Sequence, residues 1–232
     1  KMELGSGLLV GDDDWYDGLA FDGLRADWAH DNVDLTMFWY KLNEGFGMAG
    51  YGKILGALTG GGMSGIADED DGNFWGVYSD WKFHDKLGFD AYLFYMLCNH
   101  MGPTNWESWT PGVRFYSEES FGSGWNFDLE LAYQNNTWQD SATDSDGDPT
   151  DLGGTGWMFD GRVSYTFNHD YEPTLQFGFT YITGDDDLVD GDDPDTDLDG
   201  FWRMFGESHN RWGNADMLYS SALGNYNYDY TS

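Results

Sequence analysis

Charged side chains recur in this sequence at positions where polar and apolar residues alternate. The bases are Arg25, Lys82, Arg114 and Arg162, and the acids are Asp27, Asp80, Asp90, Asp128 and Glu130. In an extended chain, residues two apart share a face. The same parity adds Lys1, Glu3, Asp34 and Asp160, giving eight acids against five bases. Fixed charges along a water-filled passage sort ions and solutes by sign. Mutual pairing, for example of Arg25 with a carboxylate on a neighbouring strand, is the plainer role for most of them.

The acidic loops hold a second chemistry. DTDLDG places Asp195, Asp197 and Asp199 at alternate positions, and DSDGD does the same with Asp144, Asp146 and Asp148. Oxygens at that spacing resemble the first half of a calcium-binding EF-hand loop. Counting from Asp195, the twelfth position is Gly206 rather than the bidentate Glu. Two readings stand side by side: Ca2+ held with help from other loops, or a solvated acidic loop. Catalysis has little support. There is no nucleophile elbow or HExxH, and the glycine-rich GALTGGGMSG at residues 56–65 lacks a phosphate-binding lysine. The five histidines fall mostly at turns. Cys98, the lone cysteine, reads as a small apolar strand residue.

Elements of period two must carry these residues. The alternation predicts strands at 1–10, 19–29, 33–43, 73–84, 87–98, 109–119, 125–137, 157–168 and 174–183. Most exceed the ordinary soluble strand of about 5 or 6 residues. Connections alternate between short turns and longer segments at 11–18, 44–72, 99–108, 138–156 and beyond 184. On each strand one face is apolar, as in Val33, Leu35, Met37 and Trp39, or Leu129, Leu131 and Tyr133. The other mixes charge, glycine and tyrosine. A soluble barrel would bury the apolar face; a membrane barrel turns it to lipid around a polar lumen. Trp28, Trp39, Trp75, Trp81 and Trp125 lie near strand ends, where interfacial aromatics belong. The expectation is therefore an all-β, antiparallel, up-and-down transmembrane barrel. Residues 1–232 form a single domain whose about 9 or 10 strands make an incomplete barrel, with strands lacking at both ends.

Composition narrows the function further. With 42 acids against 10 bases, the formal charge is −32, and there is no basic face for nucleic acid. At 19% aromatic content, wholesale disorder is not expected. No apolar run is long enough for a transmembrane helix. The start has no signal-peptide pattern, which fits a processed chain or a fragment.

Several segments are similar to the alginate-export family of outer-membrane barrels. One is MELGSGLLVGDDDW followed by FDGLRADW; another is PGVRFY. The most specific is PTLQFGFTYITGDDD, ending in Gly184 and Asp185, followed by Phe201, Phe205, His209, Gly213 and Asp216. Gly206-Glu207 stands where the family usually has proline before the histidine. The resemblance implies an outer-membrane channel for a hydrophilic solute, by exopolysaccharide export or porin-like diffusion, and no enzyme. It implies contact with outer-membrane lipid and, for a polyuronate cargo, a passage lined by arginine and lysine. The eight acids fit that cargo poorly. The alternative is a structural or binding barrel within an envelope complex, its loops engaging protein partners. For His209 and Asp216 the resemblance implies a loop-stabilising role.

Overall fold

The computed structural model of the chain describes residues 3–7, 9–11, 22–44, 71–84, 86–101, 104–117, 124–143, 149–184 and 199–201. Eight strands dominate: β1 (Asp22–His30), β2 (Val33–Glu44), β3 (Asp71–His84), β4 (Leu87–Met101), β5 (Thr104–Ser117), β6 (Trp125–Thr143), β7 (Pro149–Thr166) and β8 (Thr174–Ile182). They form one sheet in chain order, and each strand is antiparallel to its sequence neighbours. This is the up-and-down topology that the alternating pattern predicts. The sheet is open among the described residues, with β1 and β8 as its edges. No described helix is long and apolar enough to cross a membrane.

The outer face breaks the rule for a soluble sheet, while the inner face buries polar residues beside apolar ones such as Phe74, Phe94, Met96 and Met158. Val77, Leu93, Val113, Phe115, Leu129, Leu131, Phe159 and Phe177 are exposed. On the opposite face Asp90, Glu130, Asp160, Gln134 and Asn136 are buried. Burying carboxylates while leaving leucines outside is costly in water. It is the arrangement of a sheet whose outer face meets an apolar solvent.

The outer face is also graded along the strands. Trp39, Trp75, Tyr95 and Trp109 stand opposite one another in register. Tyr95 packs on Trp109 with ring centroids 4.2 Å apart. The polar ends of these rings find polar partners: the Tyr95 hydroxyl donates to Glu107 at 3.0 Å, and Trp39 Nε1 donates to Asn73 at 3.1 Å. Trp28, Phe83, Trp125 and Phe167 stay exposed toward the other end. Trp75 to Phe83 spans roughly 27 Å of strand at the usual rise. At the usual tilt of about 35–45° this is roughly 20 Å of height, a little short of an apolar band about 25 Å tall between aromatic girdles.

Three expectations need correction. The first predicted strand, 1–10, is not one: residues 3–7 and 9–11 form a tight reversal closed by a Leu4–Val10 bridge. Gly7 donates to the Leu4 carbonyl at 3.1 Å, and Leu4 donates to the Val10 carbonyl at 2.9 Å. Gly5 and Gly7 have φ of 61° and 75°, values that favour glycine and break a strand. The strand predicted at 19–29 is described from Asp22 to His30, and residues 19–21 lie outside the described residues. The segments at 99–108 and 138–156, expected as loops, are largely strand. β4 reaches Met101 and β5 begins at Thr104, while β6 runs to Thr143 and β7 starts at Pro149. Long hairpins therefore replace two of the long connections, and the loop alternation is weaker than expected. The stretch 45–70 lies outside the described residues.

Candidate functional site

The charged residues come together because the register aligns them. Cα partners run Asp34, Asp80, Asp90, Arg114, Glu130, Asp160 and Thr180 from β2 to β8. One step along the strands, a second line runs Lys82, Gly88, Tyr116, Asp128, Arg162 and Gly178. These lines cross the inner face of the sheet and hold six carboxylates against three cations. They hold Lys82, Arg114, Arg162, Asp80, Asp90, Asp128 and Glu130, all expected on this face. Arg25 and Asp27 lie apart on the edge strand β1. There Arg25 donates to Asp27 at 2.8 Å, and Thr36 donates to the same carboxylate oxygen at 2.7 Å.

Arg114 is the centre of the charge network. Its Nε and Nη2 donate to the two oxygens of Asp128 at 2.7 and 2.9 Å, a bidentate pair. Its Nη1 donates to Asp90 at 3.1 Å, and the guanidinium carbon sits 4.2 Å from the centroid of the Tyr116 ring. Arg162 pairs more loosely with Asp160 at 3.4 Å. Thr180 donates to Asp160 from β8. Lys82 is exposed, and its Cα partner is Gly88.

Tyrosines tie the carboxylates across two strands at a time. The Tyr116 hydroxyl donates to Asp80 at 3.0 Å, and the Tyr92 hydroxyl donates to Glu130 at 2.8 Å. Each ring leans over a glycine on the strand between. A Cβ on Gly88 would lie 2.2 Å from the Tyr116 ring, and one on Gly112 would lie 2.2 Å from the Tyr92 ring. The glycines on this face thus give the rings room to reach their carboxylates.

Two further chain segments lie on the inner face, and periodicity does not announce either. Leu4, Leu9 and Val10 join the buried cluster of Phe38, Phe74, Tyr92 and Phe94. Ser6 donates to Glu130. Asp199 to Phe201 docks on β7 and the residue after β8: Gly200 donates to the Thr155 carbonyl at 2.8 Å, and Phe201 donates to the Thr183 carbonyl at 3.0 Å. A Cβ on Gly156 would meet the Phe201 nitrogen at 2.3 Å, so glycine makes this docking possible. Gly5-Ser6-Gly7 and Gly153-Gly154 with Gly156 were the available signals for these contacts.

Of the calcium candidates only Asp199 is described, and its Oδ1 accepts the Thr155 backbone N–H at 2.7 Å. Asp144, Asp146, Asp148, Asp195 and Asp197 lie outside the described residues. Among the described residues no three metal-capable side chains gather.

A family model described as alginate export matches residues 64–226. The chain belongs to the alginate export family. The matched span runs from before β3 to beyond Phe201, so it contains nearly all of the charged lines. No curated protein and no solved structure matches. Within this member of the family, Phe201 of the sequence motif is buried on the inner face and Gly184 is exposed just after β8. Asp185, Phe205, His209, Gly213 and Asp216 fall inside the matched span but outside the described residues.

Proposed function

We propose that the chain forms the wall of an outer-membrane channel for hydrophilic solutes, working by porin-like diffusion and favouring cations over polyanions. Lipid covers the outer face, the polar inner face lines the passage, and both sheet edges are paired in the closed wall. The observation that carries this reading is the pairing of an exposed apolar outer face with the aligned charges on the inner one. Family membership supports transport across the outer membrane and gives no support to an enzyme. Export of a polyuronate is the less favoured cargo within the same reading. Arg114, the most enclosed cation of the lines, is held by Asp90 and Asp128 and leaves little positive potential for an anionic chain.

The test is reconstitution in planar bilayers under a KCl gradient. The reading expects steady conductance with a reversal potential that favours K+. An anion-favouring reversal potential would restore polyanion export. Absence of current would favour the second reading, a non-transporting barrel in an envelope complex with protein partners. One observation speaks for that second reading: the apolar side chains of Leu4, Leu9, Val10 and Phe201 fill part of the inner face.

A further inference from the structure

We propose that the reversal at residues 3–7 and 9–11 is a constriction element that sets the size of solute passing the charged lines. The proposal rests on the channel reading above and adds to it a specific segment with a specific effect. Its position is the first argument. Ser6 donates to Glu130, which lies in the central charged line. A Cβ on Gly5 would stand 3.0 Å from the Tyr78 hydroxyl and 3.6 Å from Asp90 Oδ2, so the backbone here lies directly against the wall. A solute moving along Asp90 and Glu130 meets this segment.

The second argument is that the shape is built in. Gly5 and Gly7 take left-handed φ angles, and two backbone hydrogen bonds close the turn. Leu4, Leu9 and Val10 are buried as apolar anchors among inner-face aromatics. The third argument is chemical. The segment presents backbone and one hydroxyl to the carboxylates and adds no opposing charge. It narrows the path while leaving the acidic character of the wall in place. Size selection and charge selection therefore reside in different residues.

The experiment compares the chain with two variants, one lacking residues 3–11 and one carrying Gly7→Val, which strains the turn without shortening the chain. Single-channel conductance and exclusion of graded neutral polyethylene glycols are measured for all three. In a Cys98→Ala background, Glu130→Cys is labelled with a water-soluble maleimide to report whether the segment covers the wall. The proposal expects conductance to rise roughly twofold or more, larger glycols to enter, and labelling of Glu130→Cys to speed roughly tenfold, with the K+ preference retained. A current in the variants alone would make the segment a plug and overturn its role as a size filter. Equal conductance, glycol cut-off and labelling in parent and variants would overturn the constriction while leaving the channel standing. Absence of current in every form, with labelling still increased, would instead overturn the channel reading and the constriction with it.

Discussion

At the scale of single residues, the inner face depends on pairs that are costly to break singly. Asp90 is 1% exposed and shares Arg114 with Asp128. Removing one partner of a buried pair leaves an uncompensated charge and typically costs about 3–5 kcal/mol. Arg114→Ala is therefore expected to lower stability by about that amount in urea unfolding from detergent micelles. Arg114→Ala with Asp90→Ala should cost less than the sum of the two single changes, and additive costs would show the pair to be uncoupled. The glycines give a second prediction. Gly112→Val drives a side chain into the Tyr92 ring, which must then leave Glu130. A loss of about 1–3 kcal/mol is expected from overpacking, and Gly178→Val is the control. Gly178 has no neighbour nearer than 3.6 Å to its added Cβ, so it should change little.

At the scale of strands, the outer face divides into a band and its margins. Leu131 is exposed within the apolar band, while Asn135, four residues along β6, stands beside the Trp109 row. Leu131→Arg should destabilise the folded form in lipid by about 2–4 kcal/mol, and Asn135→Arg by about 0–1 kcal/mol. Equal costs would mean that no depth-dependent apolar solvent covers this face. The same elements show what the sequence made legible. Faces were readable because a period of two separates Leu129 and Leu131 from Asp128 and Glu130 without reference to any partner. The charged residues of the site followed from that parity. Their alignment did not, because register is a property of two strands and each strand's own pattern is silent about it. Strand ends were misread where the band stops. Thr104–Trp109 and Pro149–Gly156 are mostly polar or glycine, and their pairing is satisfied by hairpin partners that composition does not reveal. Residues 1–10 were misread for a different reason. MELGSGLLV alternates well enough for a strand, and only the left-handed φ of Gly5 and Gly7 turns the chain back onto the sheet.

At the scale of the whole molecule, charge is distributed so that the inner wall stays acidic after its internal pairing. Asp34, Asp80, Asp90, Asp128, Glu130 and Asp160 outnumber Lys82, Arg114 and Arg162 along the two central lines. The chain as a whole carries −32. Potential from such a wall reaches a permeating ion only within the screening distance, about 10 Å at 0.1 M salt and about 3 Å at 1 M. Cation preference should therefore be strongest in dilute salt and fall toward the ratio of free mobilities as salt rises. Reversal potentials taken at a fixed concentration ratio from about 0.1 M to about 1 M test this directly. Exposed Asp34 should contribute through the screened field, so Asp34→Asn should weaken the preference mainly at low salt. Asp80, tied to Tyr116 and only partly exposed, lies nearer the paired centre of the line, and Asp80→Asn should act at both concentrations. A preference that ignores salt in the parent and in both variants would mean that ions do not pass along these carboxylates. The acidic inner face would then serve only to hold the sheet together through Arg114 and the tyrosines.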